Sequence, residues 1–485
     1  MPGDVATLSN LGSVLVDRGE YEEAYQALTQ AAQSDRSLYT SSLIAHCQAH
    51  LCRWDGLTEL HASIAARLEE NTDEPINSFA ALSMPLSPEA QFRTAQRWAR
   101  DLVPIAPVPP APARTRPTSS RLRLGYVSSD FRTHAVAWLM SEVWERHDRA
   151  RIETHAYSIG PRESSSLRTR IEAAFEVFTD CCDQTTEQIV RRIREDGIEV
   201  LIDLNGYTTH SKSEIFALRP APVQVSWLGY LGTLGAPWYD YVLTDRFACP
   251  PQLQPFFSER FLYLPDCYCP SDTQRPVATV APTRAACALP EHGVVFCCFN
   301  SAYKILPAMF TVWMRLLAQV PGSVLWLSPA SATARSNLCR EAAARGIDPE
   351  RLVFAPRVSL PEHLARHVHA DLFLDTTPYN AGTTANDALF MGLPVLTCTG
   401  ETMASRVAGS QLTAIGLPEL ITTDLAEYEA RALELARNPQ RLRALRAQLS
   451  ANRHTQPLFD MARFTRALDD LLISAWENRA SLSRT

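Results

Sequence analysis

Apolar positions in the first hundred residues recur at helical spacing. Leu8, Leu11 and Gly12 open a run that continues through Val14, Gly19, Tyr21, Ala24, Leu28 and Ala31. Two short helices, a small residue where they cross and an aromatic at the turn fit a helix–turn–helix repeat of about 34 residues. A looser copy follows in Ala45, Leu51, Trp54, Leu57 and Leu60. One or two such repeats bury too little of their own faces. This region, residues 1–102, is therefore expected to pack on the rest of the chain or to continue an array.

The pattern then breaks. VPIAPVPPAPARTRPTSS, residues 103–120, holds six prolines and no glycine. Such a run makes neither helix nor central strand and favours an extended linker. From Arg121 short apolar runs replace the helical period: RLRLGYVSS, IETHAYSIG, EVLIDLNGY, VQVSWLGY, YDYVLTD and RFLYLPD. AVAWLMSEVWERH and TTEQIVRRIREDG between them read as helices. Strands alternating with helices predict a parallel sheet covered on both faces, over residues 121–275. Residues 270–284 are turn-rich and strandless, a second boundary. The pattern restarts over 285–485 with strands in GVVFCCFN, SVLWLSP, RLVFAPRV, DLFLDTT and PVLTCTG. Helices are expected at LPAMFTVWMRLLAQV, NLCREAAARG, LPEHLARHVH, TTANDALFMG, ASRVAGSQLTAIG and, last, through DLAEYEARALELARN and FTRALDDLLISAWEN. The fold class is thus α/β: two doubly wound domains in tandem after a short all-α region. Ligands of such sheets sit beyond the strands' carboxyl ends, here in a cleft expected between the two domains.

Composition narrows the function classes. The 485 residues are 46 % apolar and 20 % charged, which supports a large packed core. The formal charge is −7, from 46 basic and 53 acidic residues, which argues against a general binder of nucleic acid or membrane surfaces. No window is long and apolar enough for a membrane helix, and the N-terminus lacks the features of a signal peptide. A cytoplasmic enzyme or scaffold is the expectation. The twelve cysteines are scattered without a CxxC, so neither a zinc ribbon nor a thioredoxin-type site is supported. Only the Cys267–Cys269 spacing stands out.

Three stretches carry candidate chemistry. In DTTPYNAGTTAND, a strand ends at Asp375, and a turn at Pro378, Asn380 and Gly382 leads to Thr383 and Thr384 at a helix start. Free N–H groups, two hydroxyls and a preceding glycine suit a diphosphate, although Thr383 fits equally as a plain N-cap. Asp387 lies one turn on, within reach of a ribose diol or simply complementing the helix dipole. In CCFNSAYKILP, Lys304 stands at a strand-to-helix junction, where its charge can neutralise a leaving diphosphate or snorkel to solvent. In GYVSSDFRTHAVAWL, His134 begins a helix after the first α/β strand. It is either structural or a group that orients a substrate or accepts a proton.

Taken together, FNSAYKI, NAGTTANDAL, GETMASRVAGSQL, GYVSSDFRTHAV, LIDLNGYT and ALRPAPVQVSWLGYLGTLGAPWYDYVLTD resemble the protein O-GlcNAc transferases. The resemblance spans residues 121 to about 475, and the start, which reads as tetratricopeptide-like, extends it. It implies a GT-B pair of Rossmann-like domains and an inverting reaction without a metal or other cofactor. UDP-GlcNAc would be the donor and a polypeptide Ser or Thr hydroxyl the acceptor, with no nucleic-acid or membrane partner. The resemblance places Lys304, Thr383 and Thr384 on the donor diphosphate, Asp387 on the ribose and His363 against uracil. It places His134 as base or acceptor-orienting group, Leu228, Gly229 and Tyr230 on the sugar and acceptor side, and Tyr303 beside the sugar. Three positions depart from the animal enzymes: Ser301, a nucleoside-side position, replaces glutamine, Gly382 replaces histidine, and Glu199 replaces another histidine, a second candidate for handling a proton. Other readings are a fucosyltransferase using a guanosine donor, as in the SPINDLY branch, an asparagine glucosyltransferase, and a scaffold that has lost catalysis.

Overall fold

The computed structural model describes residues 4–70, 73–102, 121–328 and 330–480, so the proline-rich linker expected at 103–120 lies outside the described residues. The N-terminal region is helical: α1 (Val5–Asp17), α2 (Tyr21–Ala31), α3 (Leu38–His50), α4 (Leu57–Glu69), the single turn α5 (Ser78–Ala81) and α6 (Pro88–Leu102). Gly12 sits where α1 meets α2; a Cβ there would stand 2.4 Å from Leu28 Cγ, so the small residue sets the crossing. Ala24, Leu28, Leu43 and Cys47 form the core of this repeat.

Two all-parallel sheets follow. The first comprises β1 (Leu122–Ser128), β2 (Ile152–Ser158), β3 (Val177–Asp180), β4 (Val200–Asp203), β5 (Val223–Ser226), β6 (Tyr241–Thr244) and β7 (Arg260–Tyr263), in the order β3-β2-β1-β4-β5-β6-β7. The second comprises β8 (Val295–Cys298), β9 (Val324–Leu327), β10 (Leu352–Phe354), β11 (Leu372–Leu374), β12 (Val395–Cys398) and β13 (Ile421–Thr422), in the order β10-β9-β8-β11-β12-β13. Each runs outward from its first strand and then reverses, the doubly wound arrangement. The expected pair of Rossmann-like sheets after a helical region is what the structure contains. Two edge strands carry no signal in the apolar pattern. Every residue of β3 is at least partly exposed, and β13 has only two residues.

The chain divides into two compact units: Met1–Ala90 with Arg275–Thr455, and Gln91–Gln274 with Gln456–Thr485. In the first unit the helical repeat packs on the second sheet's layer. Trp54 meets Phe310 edge-on at 5.1 Å, and Asn337 Nδ2 donates to the Leu51 carbonyl at 2.8 Å. In the second unit the last helix, Met461–Glu477, returns to the first sheet's layer. There Asp469 holds His147 Nδ1 at 2.5 Å, and the Tyr126 hydroxyl donates to the other ring nitrogen at 2.9 Å. No described helix is long and apolar enough to cross a membrane.

Candidate functional site

In the second sheet the order reverses between β8 and β11, and the loops leaving these strands build one end of the unit. Asp375, fully buried, closes β11 and organises its loop. Its carboxylate accepts from the backbone N–H groups of Thr376 and Ala381, both at 2.7 Å, from Thr397 Oγ1 at 2.6 Å and from Asn300 Nδ2 at 3.2 Å. Asn300, just past β8, also donates to Thr376 Oγ1 at 2.7 Å and accepts from the Thr384 hydroxyl. One amide thus ties the β8 loop to both ends of the β11 loop.

The helix Thr383–Phe390 starts at the far end of that loop. Its N-cap is Gly382, so no side chain caps the first turn, and Gly382, Thr383 and Thr384 are partly open. Such a start presents free N–H groups to an anion. The Thr383 hydroxyl has no protein partner among the described residues, whereas that of Thr384 is engaged by Asn300. A Cβ on Gly382 would meet only Val407 Cγ1, at 3.7 Å, so a larger side chain has room there.

Lys304 ends a 3-10 turn, Ala302–Lys304, after β8. Its Nζ donates to the Asn380 carbonyl at 3.0 Å and lies 3.8 Å from the Tyr379 ring centre, a cation–π contact. Loss of hydration lowers its proton affinity and Asp375 opposes that; burial likewise raises Asp375. The direct partners of this ammonium are a carbonyl and a ring, while Asp375 is bonded to four other donors, so the negative charge of a diphosphate would add to its stabilisation. Ser301, at the start of the same turn, is exposed. Tyr303 packs against the helical repeat: its ring lies 4.7 Å from His50, 6.0 Å from His46 and 6.2 Å from Phe79.

His363 lies on the helix Leu360–Arg366, with its ring 5.1 Å from Phe299. Arg366 Nη2 donates to its Nδ1 at 2.5 Å, which leaves the ring proton on Nε2, 4.0 Å from Asp387 Oδ2. Burial, helped by His367 and Arg366, pushes His363 down to about 2, so the ring is neutral. The Pro356 carbonyl accepts from Arg366 Nη1 at 2.8 Å. Asp387 pairs with Arg275, and its remaining oxygen faces His363. Burial raises Asp387 to about 6, with Arg275 opposing.

The other unit holds the remaining candidates. In the first sheet the order reverses between β1 and β4. His134 is the N-cap of the helix Ala135–Arg146, and its Nδ1 lies 3.3 Å from the Val136 N–H and 3.5 Å from Asp130 Oδ2. No described protein group bonds Nε2. Loss of hydration lowers its proton affinity; Asp130 opposes this and Arg132 adds to it. Asn205, past β4, donates to Asp130 Oδ2 at 3.0 Å and Ser129 Oγ at 2.7 Å, and accepts from the Ser129 N–H at 2.7 Å. Leu228 and Tyr230 are buried, at 8 % and 3 % exposure. Leu228 has φ +71°, and a Cβ on the next residue, Gly229, would stand 2.0 Å from the Leu204 carbonyl oxygen. This strained turn therefore offers mainly the Gly229 backbone to a ligand. Glu199 calls for a correction. It precedes β4 at the amino end of the sheet, accepting from the Arg123 N–H at 3.0 Å, so the substitution takes no proton-handling group from the carboxyl-end site.

Among the described residues no cluster of three or more His, Cys, Asp or Glu side chains is placed to hold a metal. Sequence reasoning missed Asp375, Asn300, Asn205, Arg275 and Tyr379 as organisers of the two sites.

Comparisons with known proteins agree with one another. The glycosyl transferase family 41 model matches residues 67–278 and 269–468. A probable UDP-N-acetylglucosamine–peptide N-acetylglucosaminyltransferase, SEC of Arabidopsis thaliana, is 35 % identical over 90 % of this chain and 47 % of its own length. A probable enzyme of the same description, SPINDLY of Petunia hybrida, is 33 % identical over 73 % of this chain and 39 % of its own. The chain thus spans about half the length, or less, of these curated relatives. A mutant of the Thermobaculum terrenum O-GlcNAc transferase superposes with a TM-score of 0.82 at 29 % identity, over 99 % of this chain and 92 % of that one.

Proposed function

The chain belongs to glycosyl transferase family 41, and from that premise we propose that it transfers N-acetylglucosamine from UDP-GlcNAc to Ser and Thr hydroxyls of polypeptides, with inversion at the anomeric carbon. The observation that carries the reading is the group at the carboxyl ends of β8 and β11. Lys304 and an uncapped helix start at Thr383 flank the loop shaped by Asp375, and Asp387 with neutral His363 stands one turn away.

In this reading the diphosphate lies on the helix start. The first-turn N–H groups, the Thr383 hydroxyl and Lys304 hold its oxygens, while Thr384 fixes the loop through Asn300. Breaking the anomeric C–O bond sends its electron pair to the β-phosphate oxygen, where these donors stabilise the growing charge. Such preorganised donors are each worth about 3 kcal/mol. Lys304 supplies positive charge at the leaving group, and the reading includes no metal. The acceptor hydroxyl attacks from the opposite face of the sugar, and its proton passes to His134 Nε2. The neutral His363 ring stacks on the uracil, and the helical repeat presents the polypeptide.

The test is a calorimetric titration with UDP and GDP, followed by transfer assays with a panel of nucleotide sugars and Ser/Thr peptides, with and without EDTA. UDP is expected to bind at least about tenfold more tightly than GDP, a difference of about 1.4 kcal/mol. Transfer should proceed from UDP-GlcNAc and survive EDTA. Tighter binding of GDP, or transfer from GDP-fucose, would overturn the donor assignment.

A further inference from the structure

We propose that Arg275 is a positioning residue for the donor's ribose: it keeps Asp387 ionised and turned so that one carboxylate oxygen is free to accept from the ribose diol. The inference rests on the reading of Asp387 as the ribose acid. No motif of the sequence points to Arg275. It stands in the turn-rich stretch 270–284, where the chain re-enters its unit, yet its side chain is fully buried.

Three contacts fix its orientation. One guanidinium nitrogen pairs with Asp387 Oδ1, and the other donates to Asn386 Oδ1 at 2.9 Å. The guanidinium plane lies 4.5 Å from the Phe390 ring centre, one helical turn below. A planar fork that grips two neighbouring side chains and stacks on a third leaves Asp387 little rotational freedom. Among the described residues only Oδ2 is left, and it faces His363 Nε2 at 4.0 Å.

A carboxyl this buried tends to keep its proton, and a protonated carboxyl loses acceptor capacity that a diol needs. Among the described residues, the ionisable groups around it give Arg275 no substitute. His363 and His367 are driven neutral by burial, and Arg366 is turned to His363 and the Pro356 carbonyl. Arg453 stacks on Phe390, 4.7 Å from the ring centre. Arg275 is the cation that forms the ion pair with Asp387.

The experiment measures UDP and pyrophosphate affinity of the full chain from pH 5.5 to 8.5 by calorimetry, for the wild type, Arg275→Met, Arg275→Lys and Asp387→Asn. The ratio of variant to wild-type affinity is read, because the titration of the phosphate cancels in it. Removing an opposite charge at contact raises a carboxyl by about 1 to 3 pH units. Arg275→Met should therefore weaken UDP about tenfold or more near neutral pH, recover toward wild type at pH 8.5, and leave pyrophosphate unchanged, with Arg275→Lys restoring most of the loss. A loss of equal size at every pH, or one shared by pyrophosphate, would overturn the inference, as would no loss at all. Asp387→Asn separates the two layers. If it leaves UDP binding intact, the ribose reading itself fails. If it weakens UDP while Arg275→Met leaves the pH profile flat, the role of Arg275 alone fails.

Discussion

The two sheets solve one problem with the same part used in opposite directions. Each is doubly wound, and each must hold open the loops where its strand order reverses. In the first, Asn205 from the β4 side reaches across to Ser129 and Asp130 beyond β1. In the second, Asn300 from the β8 side reaches across to Asp375, Thr376 and Thr384 beyond β11. A carboxamide suits this place because it donates and accepts at once without carrying charge into a buried loop. What the bridges carry differs. One ends in an imidazole with Nε2 unbonded by any described protein group, the other in a lysine and an uncapped helix start. Shared topology thus fixes where the chemistry sits, and the loop residues decide what it is.

The largest break in this comparison should come from Lys304→Ala. Loss of the cation should lower kcat by about a hundredfold to a thousandfold, as removal of a single transition-state donor does. Circular dichroism and melting temperature should barely change. Wild-type turnover in this variant would remove Lys304 from the leaving-group site. His134→Ala should cost about a hundredfold in kcat, the low end for a positioned base, while UDP affinity stays within twofold. Because reduced hydration lowers His134, it stays unprotonated below the ordinary histidine range, and the acid limb of kcat should fall below about pH 6.5. A limb above that value would contradict it. The bridges offer a matched pair. Asn300→Ala and Asn205→Ala should each lower stability by about 1–3 kcal/mol in denaturant titrations, the cost of stranding buried partners. Only Asn300→Ala should also weaken UDP; equal effects on UDP from both would erase the distinction between the sites. Smallest is His363→Ala, expected to weaken UDP by about tenfold, within the range for one stacked base, without altering pyrophosphate binding.

Much of the frame was legible because burial on both faces writes a strand as a continuous apolar run. Cys297–Cys298 with its neighbours, and Leu372–Leu374, are of that kind. β3 was not, because an edge strand with exposed residues has no such run. Lys304, Thr383 and Asp387 stood out as polar residues at strand-to-helix junctions. Asp375 reads from the sequence only as a strand end, since nothing local tells an acid that ends a strand from one that collects four donors. Arg275 was hidden for a similar reason: its partners lie more than a hundred residues away, in a helix the chain reaches only after four further strands. The place of Tyr303 was equally non-local, because the rings beside it come from α3 and α5.

That last packing has a consequence for how the molecule opens. His50 stacks on Tyr21 at 3.7 Å and touches Tyr303, while the Leu51 carbonyl is bonded to Asn337, so α3 shares its burial with the second sheet's layer. By contrast, α1 leaves Leu11 47 % and Val14 54 % exposed. Amide hydrogen exchange should therefore place α3 in the same cooperative folding block as β8 and its neighbours, with α1 exchanging through a cheaper, local opening.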